Sequence, residues 1–201
     1  MTEVGDSVEK AAQIIKAGGV VAFPTETSYG LGASIYIEGA LKDIYEIKKR
    51  PVEKPLLVLI AKIESLKDVA QEVTKEILEL AERFWPGPLT ILVKAKKGLD
   101  QRLKNPKGLV AVRFTSHPLA QALIKRCGVP ITGTSANLSG APPARNPEEV
   151  LKGLRSQRLS YVLDGGELPK SPPSTILDPT TRPFRVLREG VIRREDIPGA
   201  H

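Results

Sequence analysis

Gly19-Val20-Val21-Ala22-Phe23-Pro24-Thr25-Glu26-Thr27-Ser28-Tyr29-Gly30-Leu31-Gly32 joins two unlike kinds of sequence. The first five residues form an apolar run with no polar alternation, which predicts a strand buried on both faces. Directly after it come three hydroxyl side chains, a carboxylate, a phenol and two glycines. A turn that merely reversed the chain would not need so many polar groups. At the end of a buried strand in an α/β protein they read as the floor of a substrate pocket.

Around this stretch, helical and strand patterns alternate. Asp6-Ser7-Val8-Glu9 resembles a capping box, with Val8, Ala12 and Ile15 on one helical face behind it. Gly18-Gly19 ends that helix. A second helix is expected over 39–48, with Leu41, Ile44, Tyr45 and Lys48 along one side, broken by Pro51 and Pro55. Further helices are expected over about 63–72, 74–84, 118–126 and 146–155. Strands are expected at 56–60, 90–93, 109–114, 130–134, 161–164, 174–178 and 184–188. No repeat, low-complexity block or long linker appears. The pattern predicts a single α/β domain over 1–201, with its core at about 8–190, built around one large sheet. Several connections are too short for a helical crossover, so the sheet is expected to be mixed. Segment 138–146, with Gly140, Pro142 and Pro143, is the expected mobile loop.

The 201 residues carry 30 Lys and Arg against 23 Asp and Glu, a formal charge of +7. That balance favours anionic partners such as nucleotides or RNA without choosing between them. A lone cysteine, Cys127, excludes an intrachain disulfide and suits a reducing compartment. It reads as a small buried apolar residue at a helix end. The N-terminus has no signal-peptide pattern, and no apolar run approaches a membrane span, so a cytoplasmic protein is expected.

Three clusters can carry chemistry. Lys48-Lys49-Arg50-Pro51 follows a helix; in extended chain Lys48 and Arg50 would face the same side and suit a polyphosphate. The same cations would equally suit a helix C-terminus. Thr132-Gly133-Thr134-Ser135-Ala136-Asn137-Leu138-Ser139-Gly140 again runs from a strand into small polar groups. Ser135 and Asn137 would orient a phosphate or merely stabilise a turn. Arg113 ends the apolar strand 109–114, where it either closes the strand or clamps a carboxylate. Ser174-Thr175 and Arg188-Glu189-Gly190 are weaker signals of the same kind. No histidine–acid constellation suggests a hydrolytic triad, and no close pair of metal-ligating acids appears; Asp164 and Asp178 stand apart. His117 reads as a helix-start residue, and His201 is the last residue. Cations, hydroxyls and amides without a nucleophile fit chemistry that runs on positioning and electrostatics.

Taken together, these motifs resemble the YrdC family of threonylcarbamoyl-AMP synthases. The ordered set is the strand with Pro-Thr-Glu-Thr-x-Tyr-Gly-Leu-Gly, then Lys-x-Arg-Pro, Trp-Pro-Gly-Pro-Leu-Thr, Val-x-Val-Arg, His-Pro, Thr-Ser-Ala-Asn-x-Ser-Gly, Ser-Thr-Ile and Leu-Arg-x-Gly, from about Gly19 to Gly190. The resemblance implies a YrdC-like fold, an open twisted mixed sheet with flanking helices and a large concave cleft. It implies that L-threonine, bicarbonate and ATP give threonylcarbamoyl-AMP and pyrophosphate. A downstream transferase complex would then modify the tRNA adenosine beside the anticodon. By this resemblance Lys48, Arg50, Ser135 and Asn137 carry catalysis and hold ATP, with Arg188 also on the phosphates. Thr25, Thr27, Tyr29, Arg113 and Ser174 surround threonine, the arginine on its carboxylate. Magnesium is expected with ATP, held by phosphates and water; no protein metal site and no organic cofactor are implied.

Three positions depart from the family pattern. Ser28 stands where valine is common, Leu59 where many members have histidine, and Phe114-Thr115 where proline often follows the arginine. Two alternatives stand beside the synthase. One is a carbamoyl-adenylate-forming paralogue on the same scaffold. The other is an RNA-binding module, raised by the positive charge; only nine aromatic residues weigh against base-stacking platforms.

Overall fold

β2 (Val20–Pro24) lies at the centre of a five-stranded sheet and is buried throughout. Its alternate side chains serve two cores. Val20 and Ala22 face the larger one, while Val21 and Phe23 pack with Ala11, Ile15, Leu123 and Ile124 in a second. This explains the unbroken apolar run: both faces of the strand are covered. The structure is a computed structural model that describes residues 2–200; His201 lies outside the described residues.

In chain order the elements are β1 (Glu3–Gly5), α1 (Val8–Lys16), β2, β3 (Tyr29–Gly32), α2 (Glu38–Lys48), β4 (Val58–Ile60), α3 (Leu66–Val69), α4 (Lys75–Phe84), β5 (Leu89–Lys94), β6 (Leu109–Phe114), α5 (Pro118–Cys127), β7 (Ile131–Thr132), β8 (Thr134–Ser135), α6 (Pro147–Gly153), β9 (Leu159–Leu163), β10 (Thr175–Asp178) and β11 (Arg185–Arg188). The helix starts follow their caps. Ser7 accepts from the Lys10 amide, Thr74 from Ile77 and Asn146 from Glu149.

The fold class is the mixed α/β one expected, with one correction. The strands form two sheets, not a single large one: β1-β9-β2-β3-β8 and β11-β10-β5-β6-β4-β7, each mixing parallel and antiparallel pairs. The expected strand 130–134 is where they meet. Ile131 and Thr132 pair with β4 in the second sheet, whereas Thr134 and Ser135 pair with β3 in the first. Gly133 between them lets one chain segment change sheets. Its amide donates 2.9 Å to the Leu57 carbonyl, and a Cβ there would overlap the Leu59 side chain. The expected helix 63–72 is also shorter, a 3-10 turn at Ile63–Ser65 leading into α3.

The region 29–32, expected as part of a pocket-forming turn, is a strand. β3 folds back on β2 in a hairpin, with Val21 opposite Gly32 and Pro24 opposite Tyr29. Its glycines admit the Phe23 ring: a Cβ on Gly32 would come within 2.7 Å of it.

Candidate active site

A cavity of about 760 Å³ is lined by residues of both sheets. Leu109, Ala111 and Arg113 line it from alternate positions of β6, with Leu92 of β5 and Ile176 of β10 beside them. Gly30 and Ser135, direct partners in the first sheet, contribute the opposite wall. Of the residues expected at the site, Thr25, Thr27, Arg50, Arg113, Ser135, Asn137, Ser174 and Arg188 all line this cavity.

One end is organised by the β2–β3 turn. Thr25 is buried, and its hydroxyl donates 2.7 Å to the Ser28 carbonyl while accepting from the Thr27 and Ser28 amides at 3.3 Å. Such a hydroxyl turn fixes the backbone without a glycine. It presents Thr27, whose Oγ1 accepts a 3.3 Å hydrogen bond from Arg113 Nη1. Arg113 is 3% exposed, and burial pulls its pKa down while Glu26 opposes that shift. Ser174, which also lines the cavity, shares a 2.9 Å hydrogen bond between its Oγ and Thr90 Oγ1. Arg188 wraps Ser174, donating to its carbonyl from Nε at 3.1 Å and Nη2 at 2.9 Å, and to its hydroxyl at 3.2 Å. Burial lowers the Arg188 pKa, and the Arg113 charge lowers it further, so the two cations share one field. Gly190 allows this wrap, because a Cβ there would overlap the Pro173 carbonyl.

The other end joins the end of α2 to the loop after β8. Lys48 and Arg50 are not in extended chain, which corrects the spacing expected for them. Lys48 is the last helical residue, and Lys49 caps the helix in the left-handed region at φ 48°. That turn sends the two cations to different places. Arg50 lines the cavity, with Nε and Nη2 donating 2.9 Å to the Lys54 and Pro55 carbonyls. Lys48 is 1% exposed and lies behind the cavity wall. Its Nζ donates to the Ser135 carbonyl and, at 2.7 Å, to the Asn137 carbonyl. Burial, with Arg50 nearby, lowers its pKa to about 7. Asn137 holds the loop beyond, its Nδ2 donating to the Leu138 and Ala141 carbonyls at 2.9 and 2.5 Å. The segment expected to be mobile is thus tied at several points, including Ser139 N to Lys48 O and Tyr29 N to Ala144 O, both at 2.9 Å.

Tyr29 also stands back from the cavity. It is fully buried, and its hydroxyl donates 2.9 Å to the Gly166 carbonyl and accepts from the Gly165 amide. It braces the turn after β9. Leu59 is equally enclosed, under Gly133. Cys127 is buried with its thiol pushed up to about 11, which fits the apolar role expected for it.

Two residues of the cluster, Glu26 and Thr115, are not assigned to the site by the sequence. Glu26 lies 3.6 Å from Arg113 and accepts a hydrogen bond from the Thr115 hydroxyl. A usable signal exists: Arg113 and Thr115 fall on one side of extended chain, at the end of an apolar strand. Among the described residues, no three His, Cys, Asp or Glu side chains converge as a metal site.

The family model named Sua5_yciO_yrdC, described as "Telomere recombination", matches residues 13–190. Threonylcarbamoyl-AMP synthase from Pyrococcus abyssi is 40% identical over 93% of this chain, which spans 55% of that protein's length. Threonylcarbamoyl-AMP synthase from Vibrio campbellii is 36% identical over 90% of this chain and 98% of its own. The crystal structure of P. abyssi Sua5 complexed with L-threonine superposes with a TM-score of 0.90 at 36% identity, covering 98% of this chain and 59% of that one. This chain belongs to the Sua5/YciO/YrdC family.

Proposed function

We propose that this protein is an L-threonylcarbamoyladenylate synthase, acting on L-threonine, bicarbonate and ATP. The observation that carries the reading is the cavity itself. One end offers Arg113, Thr27 and Ser174, which suit an amino-acid carboxylate and hydroxyl. The other offers Arg50, Ser135 and Asn137, which suit phosphates. Arg188 sits beside Ser174 and in the field of Arg113, where the two substrates would meet.

In this reading the threonine ammonium condenses with bicarbonate, releasing water and a proton and leaving an N-carboxylate. A carboxylate oxygen then attacks the α-phosphorus of ATP. The new O–P bond forms as the α–β bridging P–O bond breaks, and pyrophosphate leaves with the electron pair. Both reactants are anionic, so the residues' work is to hold them in line and offset their charge. Arg50 and Arg188 do this directly, while Lys48 acts by fixing the Ser135–Asn137 loop. Magnesium enters as MgATP. The described residues offer no acidic cluster to cage it, so phosphate oxygens and water are its fitting ligands.

The product is a reactive mixed anhydride, which calls for a transferase to move the threonylcarbamoyl group to the tRNA adenosine beside the anticodon. This reading places the protein in the cytoplasm with tRNA. Among the described residues no helix is long and apolar enough to cross a membrane. The test is pyrophosphate release with MgATP, bicarbonate and threonine. Release should require all three; release that ignores threonine would sink the reading. If ATP chemistry is absent and RNA binding survives physiological salt, the RNA-binding alternative is favoured.

A further inference from the structure

Behind Arg113 lies a cluster that the proposed reaction does not use. The Arg113 guanidinium makes one hydrogen bond, from Nη1 to Thr27, and its Nε is enclosed with no partner. Glu26 Oε1 lies 3.6 Å from Nη1, near enough for charge attraction but too far for a hydrogen bond. That oxygen is also enclosed and unpartnered. The other carboxylate oxygen, Oε2, accepts from the Thr115 hydroxyl. His117 completes the group with an enclosed, unpartnered Nδ1, and burial lowers its pKa, which disfavours its charged form. Glu26 is not part of the cavity wall, whereas Arg113 is.

A buried guanidinium without counter-charge is strongly destabilising. A carboxylate clamped onto it in bidentate fashion would relieve that cost but use up the donors a ligand needs. Tethered at 3.6 Å by Thr115, Glu26 supplies the charge and leaves the donors open. We propose that Glu26, held back by Thr115, is the built-in counter-ion of Arg113: it offsets the guanidinium charge in the empty site and sets the affinity for an incoming amino-acid carboxylate by competing with it. Glu26 and Thr115 are thus positioning residues. The ligand half of this proposal rests on the reading that Arg113 receives the threonine carboxylate.

The test has a ligand-free arm and a threonine arm. Without ligand, thermal unfolding is measured for wild type, E26Q, R113M and the double variant. E26Q should lower Tm by about 6–15 °C, as expected for breaking a buried pair. The double variant should lose clearly less than the sum of the singles; additive losses overturn the counter-ion. An E26Q that folds only in combination with R113M is the same coupling in its strongest form. In the threonine arm, calorimetric titration follows binding. E26Q should bind threonine roughly three- to tenfold more tightly, because a competing charge is gone. Thr115→Val frees the carboxylate to close on Arg113, so it should bind threonine more weakly than wild type. That opposition of sign is not expected of residues that only support the fold. Unchanged affinity in both variants overturns the competition. If wild type itself binds no threonine, the amino-acid reading of this end fails, and the ligand-free cycle still decides whether Glu26 is the counter-ion.

Discussion

Lys48 Nζ donates a 2.7 Å hydrogen bond to the carbonyl oxygen of Asn137, a residue 89 positions along the chain. With its second bond to the Ser135 carbonyl, the ammonium crosslinks the end of α2 to the end of β8 and the loop that follows it. The Ser139 amide returns the contact by donating to the Lys48 carbonyl. Three backbone groups of one segment therefore depend on the position of one buried lysine. Ser135 and Asn137, which face the cavity, are placed by it.

Replacing Lys48 with methionine keeps the buried chain and removes the crosslink. Below pH 7, relief of the buried charge offsets part of the cost of leaving the Ser135 and Asn137 carbonyls unpaired, so global stability should fall by less than the lost hydrogen bonds are worth. Locally, hydrogen bonds to a charged donor worth about 1.5–3 kcal/mol each are lost. Amide exchange over 135–141 should therefore accelerate strongly while α1 and α5 stay protected, and turnover in the proposed reaction should fall by roughly 100-fold or more. Unaltered loop exchange would show that Lys48 is not what holds the loop.

The same lysine predicts a pH dependence. Burial, then the Arg50 charge, brings its pKa from 10.5 to about 7 in the folded protein. Between those values the unfolded chain binds a proton that the folded one does not, so raising the pH favours folding. The penalty for burying the charge is greatest below pH 7 and is relieved from pH 7 towards 10.5. The stability of wild type relative to Lys48→Met should thus climb across that window and stay level below it. Denaturant titrations of both proteins at pH 6, 8 and 9.5 measure this. A flat difference would mean that the lysine retains its ordinary pKa.

Arg50 tests the proposed phosphate end alone. Its Nε and Nη2 are committed to the Lys54 and Pro55 carbonyls, which aims the remainder of the planar fork at the cavity. Lysine preserves the charge but cannot span both carbonyls and still present a donor. Arg50→Lys should raise the KM for ATP about 10- to 100-fold, the loss of one or two charged hydrogen bonds. Threonine affinity should be unchanged. A matched loss of both substrates would place Arg50 in the support of the whole cleft instead.

What was legible from the residues followed local physics. β2 was readable because both its faces are buried, and the helix starts because Ser7, Thr74 and Asn146 carry side-chain caps. β3 was hidden because Tyr-Gly-Leu-Gly has poor strand propensity; its glycines make room for Phe23, a contact set by tertiary packing. β1 is three residues long and largely exposed, so it has no apolar signature. The cavity-lining residues were recognisable as ordered motifs, but their division into wall and support was not. Lys48 looked equivalent to Arg50 until the left-handed Lys49 turned them apart. Glu26 and Thr115 lie 89 positions apart, and nothing local announces their bond.

The point where the chain changes sheets gives the most direct test of how the fold builds the site. Gly133 donates to the Leu57 carbonyl and lies against Leu59, leaving no room for a Cβ. Gly133→Ala should destabilise by about 1–3 kcal/mol through overpacking. Leu59→Ala alone should cost about 2–5 kcal/mol, because it opens a cavity in a fully buried position. Together the new methyl group enters the space that Leu59 vacates, so the double variant should be less destabilised than the sum by about 1 kcal/mol or more. Turnover should recover with it, since Ser135 lies two residues beyond the glycine and Asn137 four. Strict additivity, measured by urea unfolding, would mean that the alanine displaces the backbone and not Leu59. In that case the loop carrying Ser135 and Asn137 should remain misplaced, and turnover should stay low however much space Leu59 leaves.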